Sequence, residues 1–319
     1  MDKILVDQNA ARTASTLWPL FNSVEAEAVV NALRRWHSPA ASMARRTCYT
    51  IVRCRIIAHT HTHSHRWQSS FAAAGRKRCA PTINDPYIRL ILDRCLPAEV
   101  ESRLCKEPLD RLMQDVIAVR TAVIDETLLE WTKAGITQVV IIASGYDTRA
   151  WRIRWPTGIS LYEVDSAMIQ SQKMIALGDI QPNCNRLALI GDVFNLTAVF
   201  KSLRSVGFDA TRPAVFVVED VVEYVLPELA SEMFAYVCQG CAIGSKMVVT
   251  LSDCKLREWL KRYGRTAHLI EDYEAPGVVL NRIINAGWHT DELILSGSLE
   301  TRFGVDLHGC LYIAKVTKR

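Results

Sequence analysis

The chain has 319 residues, enough for one large domain with an appendage and for a full hydrophobic core. It is 49% hydrophobic and 23% charged, ordinary for a globular protein, and no run approaches the roughly 18 uncharged apolar residues of a membrane span. The net charge of +4 misleads. Between Ala28 and Asn84 there is no acid but there are ten bases, and the remainder holds 28 basic against 34 acidic residues, so a polyanionic partner does not follow for the core.

The opening residues, Met1-Asp2-Lys3-Ile4-Leu5-Val6-Asp7, place acids where a leader peptide is basic and acid-free, which reads as a cytoplasmic chain. Residues 1–36 are expected to form an N-terminal helical cap, since Ala, Leu, Val and Trp recur there at three- and four-residue steps. Residues 37–81 lose that pattern. They hold the bases and the run His59-Thr60-His61-Thr62-His63-Ser64-His65, and read as a disordered insertion of biased composition. Residues 82–319 are expected to be the main domain.

Asp85 or Asn84 can cap a helix opened by Pro86. A longer helix is expected over 109–134, with Gly135 as its stop. The period then changes. Val139-Val140-Ile141-Ile142-Ala143 is a continuous β-branched run of the kind buried between two helical layers. Further strands are expected at 159–164, 187–190, 214–218 and 246–251, alternating with helices at 168–177, 196–206 and 226–238. Such alternation predicts a doubly wound α/β fold around a mostly parallel sheet. Residues 292–299 and 309–316 read as two late antiparallel strands at one edge, making seven. Cys238 and Cys241 have metal or redox spacing, but no second pair completes a zinc site, so two reduced thiols and no metal are expected.

In such a sheet, ligands bind beyond the carboxyl ends of the strands, where strand order reverses. The first strand is followed by Ser144-Gly145-Tyr146-Asp147, in which Gly145 permits close backbone approach. This is not the three-glycine signature of a pyrophosphate cradle. Asp165 follows the second strand, where an acid can accept hydrogen bonds from both ribose hydroxyls or simply cap the next helix. Asp192 and Val193 follow the third, where a carboxylate and a backbone N–H can meet an adenine; Glu219 and Asp220 follow the fourth. An acidic crescent of this kind suits a neutral nucleoside bearing a sulfonium and an ammonium, and repels a dinucleotide's phosphates.

The chain resembles the leucine carboxyl methyltransferase family. The resemblance rests on Asp85-Pro86; Arg120-Thr121 with Ile124-Asp125; the stretch from Gln138 to Arg149 that ends in Gly145-Tyr146-Asp147-Thr148-Arg149; Tyr162-Glu163-Val164-Asp165 with Lys173; Asp192; Gly207-Phe208-Asp209; and Arg212-Pro213 through Glu219 to Tyr224. It implies a class I methyltransferase sheet and S-adenosyl-L-methionine as cofactor. It also implies that Arg120 pairs with the methionyl carboxylate and that Gly145 faces the methionyl group. Asp165 would hold the ribose, Asp192 and Val193 would frame the adenine, Glu219 would lie at the methionyl end and Tyr224 near the acceptor.

Two departures stand out. Asp220 occupies a place where the family has a small residue, and Leu251-Ser252-Asp253-Cys254 replaces the segment that leucine-specific members carry. The expected acceptor is a carboxylate, on a protein C-terminus or a small acid, gripped by Arg149 or Arg302. A hydroxyl acceptor would need a base instead, and His268, His289 and His308 are the candidates outside the insertion. A cofactor-binding module without catalysis is a further alternative, with Asp220 as its lesion. Nucleic-acid binding through the basic segment is the disfavoured one.

Overall fold

The computed structural model describes residues 83, 85–95, 108–193, 195–262 and 274–319. The cap at 1–36, the insertion at 37–81 and His268 lie outside the described residues.

The first described helix is α1 (Pro86–Cys95). Asp85 Oδ1 accepts from the backbone N–H of Tyr87 and Ile88, both at 3.1 Å, the cap its sequence position predicts. The long helix α2 spans Pro108–Lys133 and stops at Gly135, whose φ of 106° suits a residue without Cβ. The alternating part runs β1 (Gln138–Ile142), α3 (Arg149–Arg152), β2 (Ser160–Asp165), α4 (Ala167–Leu177), β3 (Asn185–Ile190), α5 (Leu196–Ser205) and β4 (Ala214–Val218). After a 3-10 turn (Val222–Tyr224) come α6 (Pro227–Gln239) and β5 (Lys246–Ser252). The last part is α7 (Cys254–Arg262), α8 (Pro276–Asn285), β6 (His289–Ile294), α9 (Ser296–Phe303) and β7 (Leu311–Thr317).

The seven strands form one sheet in the order β3-β2-β1-β4-β5-β7-β6. The first five are mutually parallel, and β7 runs antiparallel to both β5 and β6. From β1 the chain winds outward to β3, then returns to place β4 on the other flank of β1. The carboxyl ends of β1 and β4 therefore frame the switch-point crevice.

Successive residues of β1 serve opposite faces. Val139 and Ile141 join the core formed with α1 and α2, while Val140 and Ile142 join the core under α5 and α6. Both faces being covered explains why β1 is apolar without alternation. The second face carries a ring cluster, with Phe200 and Phe208 each 6.2 Å from Phe216. Gly240, ending α6, lies so close that a Cβ there would come within 2.4 Å of the Phe200 ring. On β2, Glu163 is fully buried, with its Oε2 2.7 Å from Lys173 Nζ and 2.6 Å from Arg186 Nη2 and its Oε1 without a hydrogen-bond partner in the protein.

The tail corrects one expectation. Residues 295–299 do not extend a strand; Ser296–Phe303 is helix α9 between β6 and β7. Leu299 and Phe303, four residues apart, turn one helical face to the core, and left-handed Gly304 caps the end. Helices α7 and α8 likewise went unread in the sequence. Cys238 and Cys241 are buried free thiols at the end of α6, and burial pushes both thiols up, which keeps them protonated.

Candidate functional site

The residues picked out at the strand ends all follow the carboxyl ends of the parallel strands β1 to β4. Ala143 (φ 55°) and Gly145 (φ 53°) both take left-handed backbone just past β1, folding the loop tightly against β2. Gly145 N–H donates to Asp165 Oδ2 at 2.7 Å, and Ser166 N–H donates to Asp165 Oδ1 at 2.7 Å. The half-buried carboxylate is thus aimed by two backbone groups while each oxygen keeps further acceptor capacity. Helix α4 takes its cap from Ser166, so Asp165 is not used as that cap. Asp192 is half-buried and Val193 buried just after β3, which pairs with β2 along its whole length, Ile190 opposite Asp165.

At the end of β4, Glu219 and Asp220 meet two arginines. Arg120 Nε lies 3.0 Å from Glu219 Oε1, and its Nη1 lies 3.0 Å from Asp220 Oδ1. Arg149 Nη1 donates to Glu219 Oε2 at 2.8 Å and to Asp147, while Arg149 Nε donates to Asp125 at 2.7 Å. Burial works against that guanidinium, but Asp147, Glu219 and Asp125 outweigh it and raise its pKa well above the usual value. Arg149 is 1% exposed and faces three carboxylates, so the guanidinium expected as an acceptor clamp is engaged within the protein. It joins Asp125 of α2 and Asp147 of the β1 turn to Glu219 after β4. Arg302, the other expected clamp, is a surface residue paired with Glu126 at 2.6 Å.

Asp220 itself has φ 61°, left-handed backbone that costs a residue with a Cβ, and its N–H donates to Thr250 Oγ1 at 2.8 Å. Glycine is the cheaper solution there. Tyr224 is buried in the 3-10 turn beyond β4. The histidines lie elsewhere: His289 begins β6 at the far edge of the sheet, and His308 stacks on Trp259 at 4.7 Å. Asp125 and Asp147 pair with Arg149 and Glu223 neighbours Asp220, and sequence reading gave none of the three a chemical role. Glu223, an acid inside Val221-Val222-Glu223-Tyr224-Val225, was the one visible signal. Among the described residues there is no cluster of metal-ligating side chains and no helix long and apolar enough to cross a membrane.

The family model described as "Leucine carboxyl methyltransferase" matches residues 68–238, opening inside the segment read as an insertion. A Mycobacterium marinum protein named "Putative S-adenosyl-L-methionine-dependent methyltransferase" is 32% identical over 217 residues, 63% of this chain and 68% of that protein. A Mycobacterium avium protein of the same printed name is 34% identical over 197 residues, 57% of this chain. The chain spans only 62% of that relative's length. The fold matches the crystal structure of a DUF574 family protein from Streptomyces avermitilis, with TM-score 0.55 and 14% identity, covering 73% of this chain and 95% of that one. It also matches a "putative methyltransferase" from Thermobifida fusca, with TM-score 0.52 and 15% identity, covering 74% and 90%. With the family match spanning more than half of its length, the chain belongs to the leucine carboxyl methyltransferase family.

Proposed function

We propose that this chain is an S-adenosyl-L-methionine-dependent O-methyltransferase. The observation that carries the reading is the 2.7 Å bond from Gly145 N–H to Asp165 Oδ2, which joins the turn after β1 to the acid after β2 at the switch point. The donor set fits a zwitterionic thioether nucleoside. Asp165 offers acceptors to a ribose, Asp192 and Val193 to an adenine, and Gly145 a close backbone. Arg120 and Glu219 offer both charges to a methionyl carboxylate and ammonium. Ser144 Oγ, in the turn beside Gly145, is buried with no hydrogen-bond partner in the protein, which supports a polar ligand seated there.

When bound, the cofactor supplies an electrophilic methyl group. The protein's part is to align an acceptor oxygen in line with it and to keep water out. Buried Tyr224, beyond β4, is the residue we place beside the acceptor. Family membership supports a carboxylate acceptor, on a peptide C-terminal leucine or a small acid, which is ionised at neutral pH and needs no base. A second reading, a hydroxyl acceptor, is favoured by one observation. The cations expected to grip a carboxylate are engaged with Asp125, Asp147, Glu219 and Glu126, and the wall beyond β4 is acidic. Calorimetry with S-adenosyl-L-methionine and its demethylated product tests the common core. Micromolar binding of both is expected, and failure of either to bind the folded chain overturns it.

A further inference from the structure

Beyond β4, in the 3-10 turn three residues past Asp220, one acid stands apart from the ion pairs described above. Glu223 is 3% exposed. Its Oε1 accepts from Ser252 Oγ at 2.8 Å, while its Oε2 is buried with no hydrogen-bond partner in the protein. It lines a cavity of about 20 Å³ shared with Val222, Val225, Leu251, Ser252 and Val279, large enough for one water-sized oxygen. The walls are apolar apart from Ser252, Glu223 and Glu274. A buried carboxylate that lines such a space and has one oxygen without a partner fits a ligand that brings a proton donor, and it repels a ligand that brings a carboxylate.

We propose that Glu223 Oε2 takes the proton of a hydroxyl-bearing methyl acceptor whose oxygen enters this cavity beside Ser252, an inference that rests on the methyltransferase reading above. As the acceptor's O–H bond breaks, its proton passes to Glu223 Oε2. The freed oxygen pair forms the bond to the methyl group, and the pair of the broken S–CH3 bond stays on the thioether sulfur. Ser252, donating to Oε1, fixes the carboxylate so that Oε2 remains the basic oxygen.

The surrounding groups suit that task. Burial and the neighbouring Asp220 push Glu223 up to about 7, against the opposing pull of Ser252 and of Arg120 from α2. Glu274, ahead of α8, is the other acid on the cavity wall. A base whose pKa lies near the working pH combines a useful ionised fraction with a strong pull on the proton.

The test uses the full chain, S-adenosyl-L-methionine, and phenol, benzyl alcohol and benzoic acid as acceptor probes. In the ligand-free protein, the infrared carbonyl band of a protonated carboxyl should vanish as pH rises through about 7 and be missing from Glu223→Gln. With phenol or benzyl alcohol, kcat of the wild type should rise through the same pH range and level off. Glu223→Gln should lose about a hundredfold or more in kcat and keep cofactor affinity within about threefold. Glu223→Asp should recover part of the loss, which a purely structural role would not predict. Failure to bind S-adenosyl-L-methionine removes the reading on which the inference rests. Cofactor binding with methylation of benzoic acid alone, turnover of no hydroxyl probe, no carbonyl band titrating near pH 7, or unchanged kcat in Glu223→Gln each overturns the role of Glu223 and leaves the cofactor site standing.

Discussion

Arg149 Nη1 donates to Glu219 Oε2 at 2.8 Å, bolting the turn that leaves β1 to the residue that ends β4. Those two strands frame the crevice, so the pair fixes its width. The same guanidinium holds Asp147 and Asp125, and Arg152 shares Asp125 from the next turn of α3. One side chain thereby ties α2, the β1 turn and β4 together beneath the proposed methionyl end.

Removing that side chain leaves three acids without their common counter-charge. Arg149→Leu should cost about 3–5 kcal/mol of stability, because buried carboxylates lose their partner. In a domain of this size the melting temperature should fall by roughly 10 °C. Arg149→Lys should recover less than half of that, since one ammonium cannot reproduce the planar fork that reaches three carboxylates. Thermal unfolding of both variants decides the matter; a Leu variant melting within about 2 °C of wild type would show the cage to be dispensable.

Asp165 tests the cofactor assignment more directly. Its replacement by Ala should weaken S-adenosyl-L-methionine by about 2–3 kcal/mol, through loss of a charged acceptor for the ribose and of the anchor for Gly145 N–H. The fold should persist, because the acid stands at the end of β2 and not within the core. Unchanged affinity in a folded variant would sink the assignment.

The strand ends were legible in the sequence for a physical reason. β1 and β4 are buried on both faces, so their apolar runs, Val139 to Ile142 and Ala214 to Val218, mark themselves, and the loop that follows each has to meet the crevice. β3 was harder. It is an edge strand whose exposed and half-buried residues include Asn185 and Arg186, and its first two residues carry no apolar signal. Residues 295–299 were misread because Leu293, Leu295 and Leu299 do not by themselves distinguish a strand from a helix turn. The placing of Asp165 and Glu219 just past β2 and β4 was legible, and the ion pairs around Arg149 were hidden. A lone arginine gives no hint that Asp125, 24 residues earlier, and Glu219, 70 residues later, will close around it.

Asp220 departs from the family pattern, and its geometry says what that departure does. Its Oδ1 lies 3.0 Å from Arg120 Nη1, engaging the arginine expected to meet the methionyl carboxylate, and its backbone sits at φ 61°. Asp220→Gly should remove the backbone strain, worth about 1 kcal/mol, and leave Arg120 with Glu219 as its counter-charge. S-adenosyl-L-methionine should then bind about three- to tenfold tighter, because the arginine no longer has to exchange one carboxylate for another. Calorimetry on the variant checks this. Weaker binding would mean that Asp220 holds Arg120 in its productive position.

Glu223 makes stability depend on pH in a defined direction. Burial and Asp220 raise its folded-state pKa from the ordinary 4.5 to about 7, so between those values the folded chain holds a proton that the unfolded chain has released. The side bound to more protons gains as pH falls. The contribution is therefore fully present below about 4.5 and is lost progressively as pH rises through about 7. Above that range, wild type carries a buried carboxylate that folding has to desolvate. Glu223→Gln keeps the shape and can still bond Ser252, but has no proton to lose. Its unfolding free energy should match wild type near pH 5 and exceed it by roughly 1–3 kcal/mol at pH 8. Urea unfolding of both proteins at the two pH values measures the difference. Asp220→Asn should shrink the gap, because the neighbouring charge that helps raise Glu223 is gone. A gap that is equal at pH 5 and pH 8 would show that Glu223 is already ionised throughout, and a wild type that is the more stable protein at pH 8 would show that its charge is welcome where it sits.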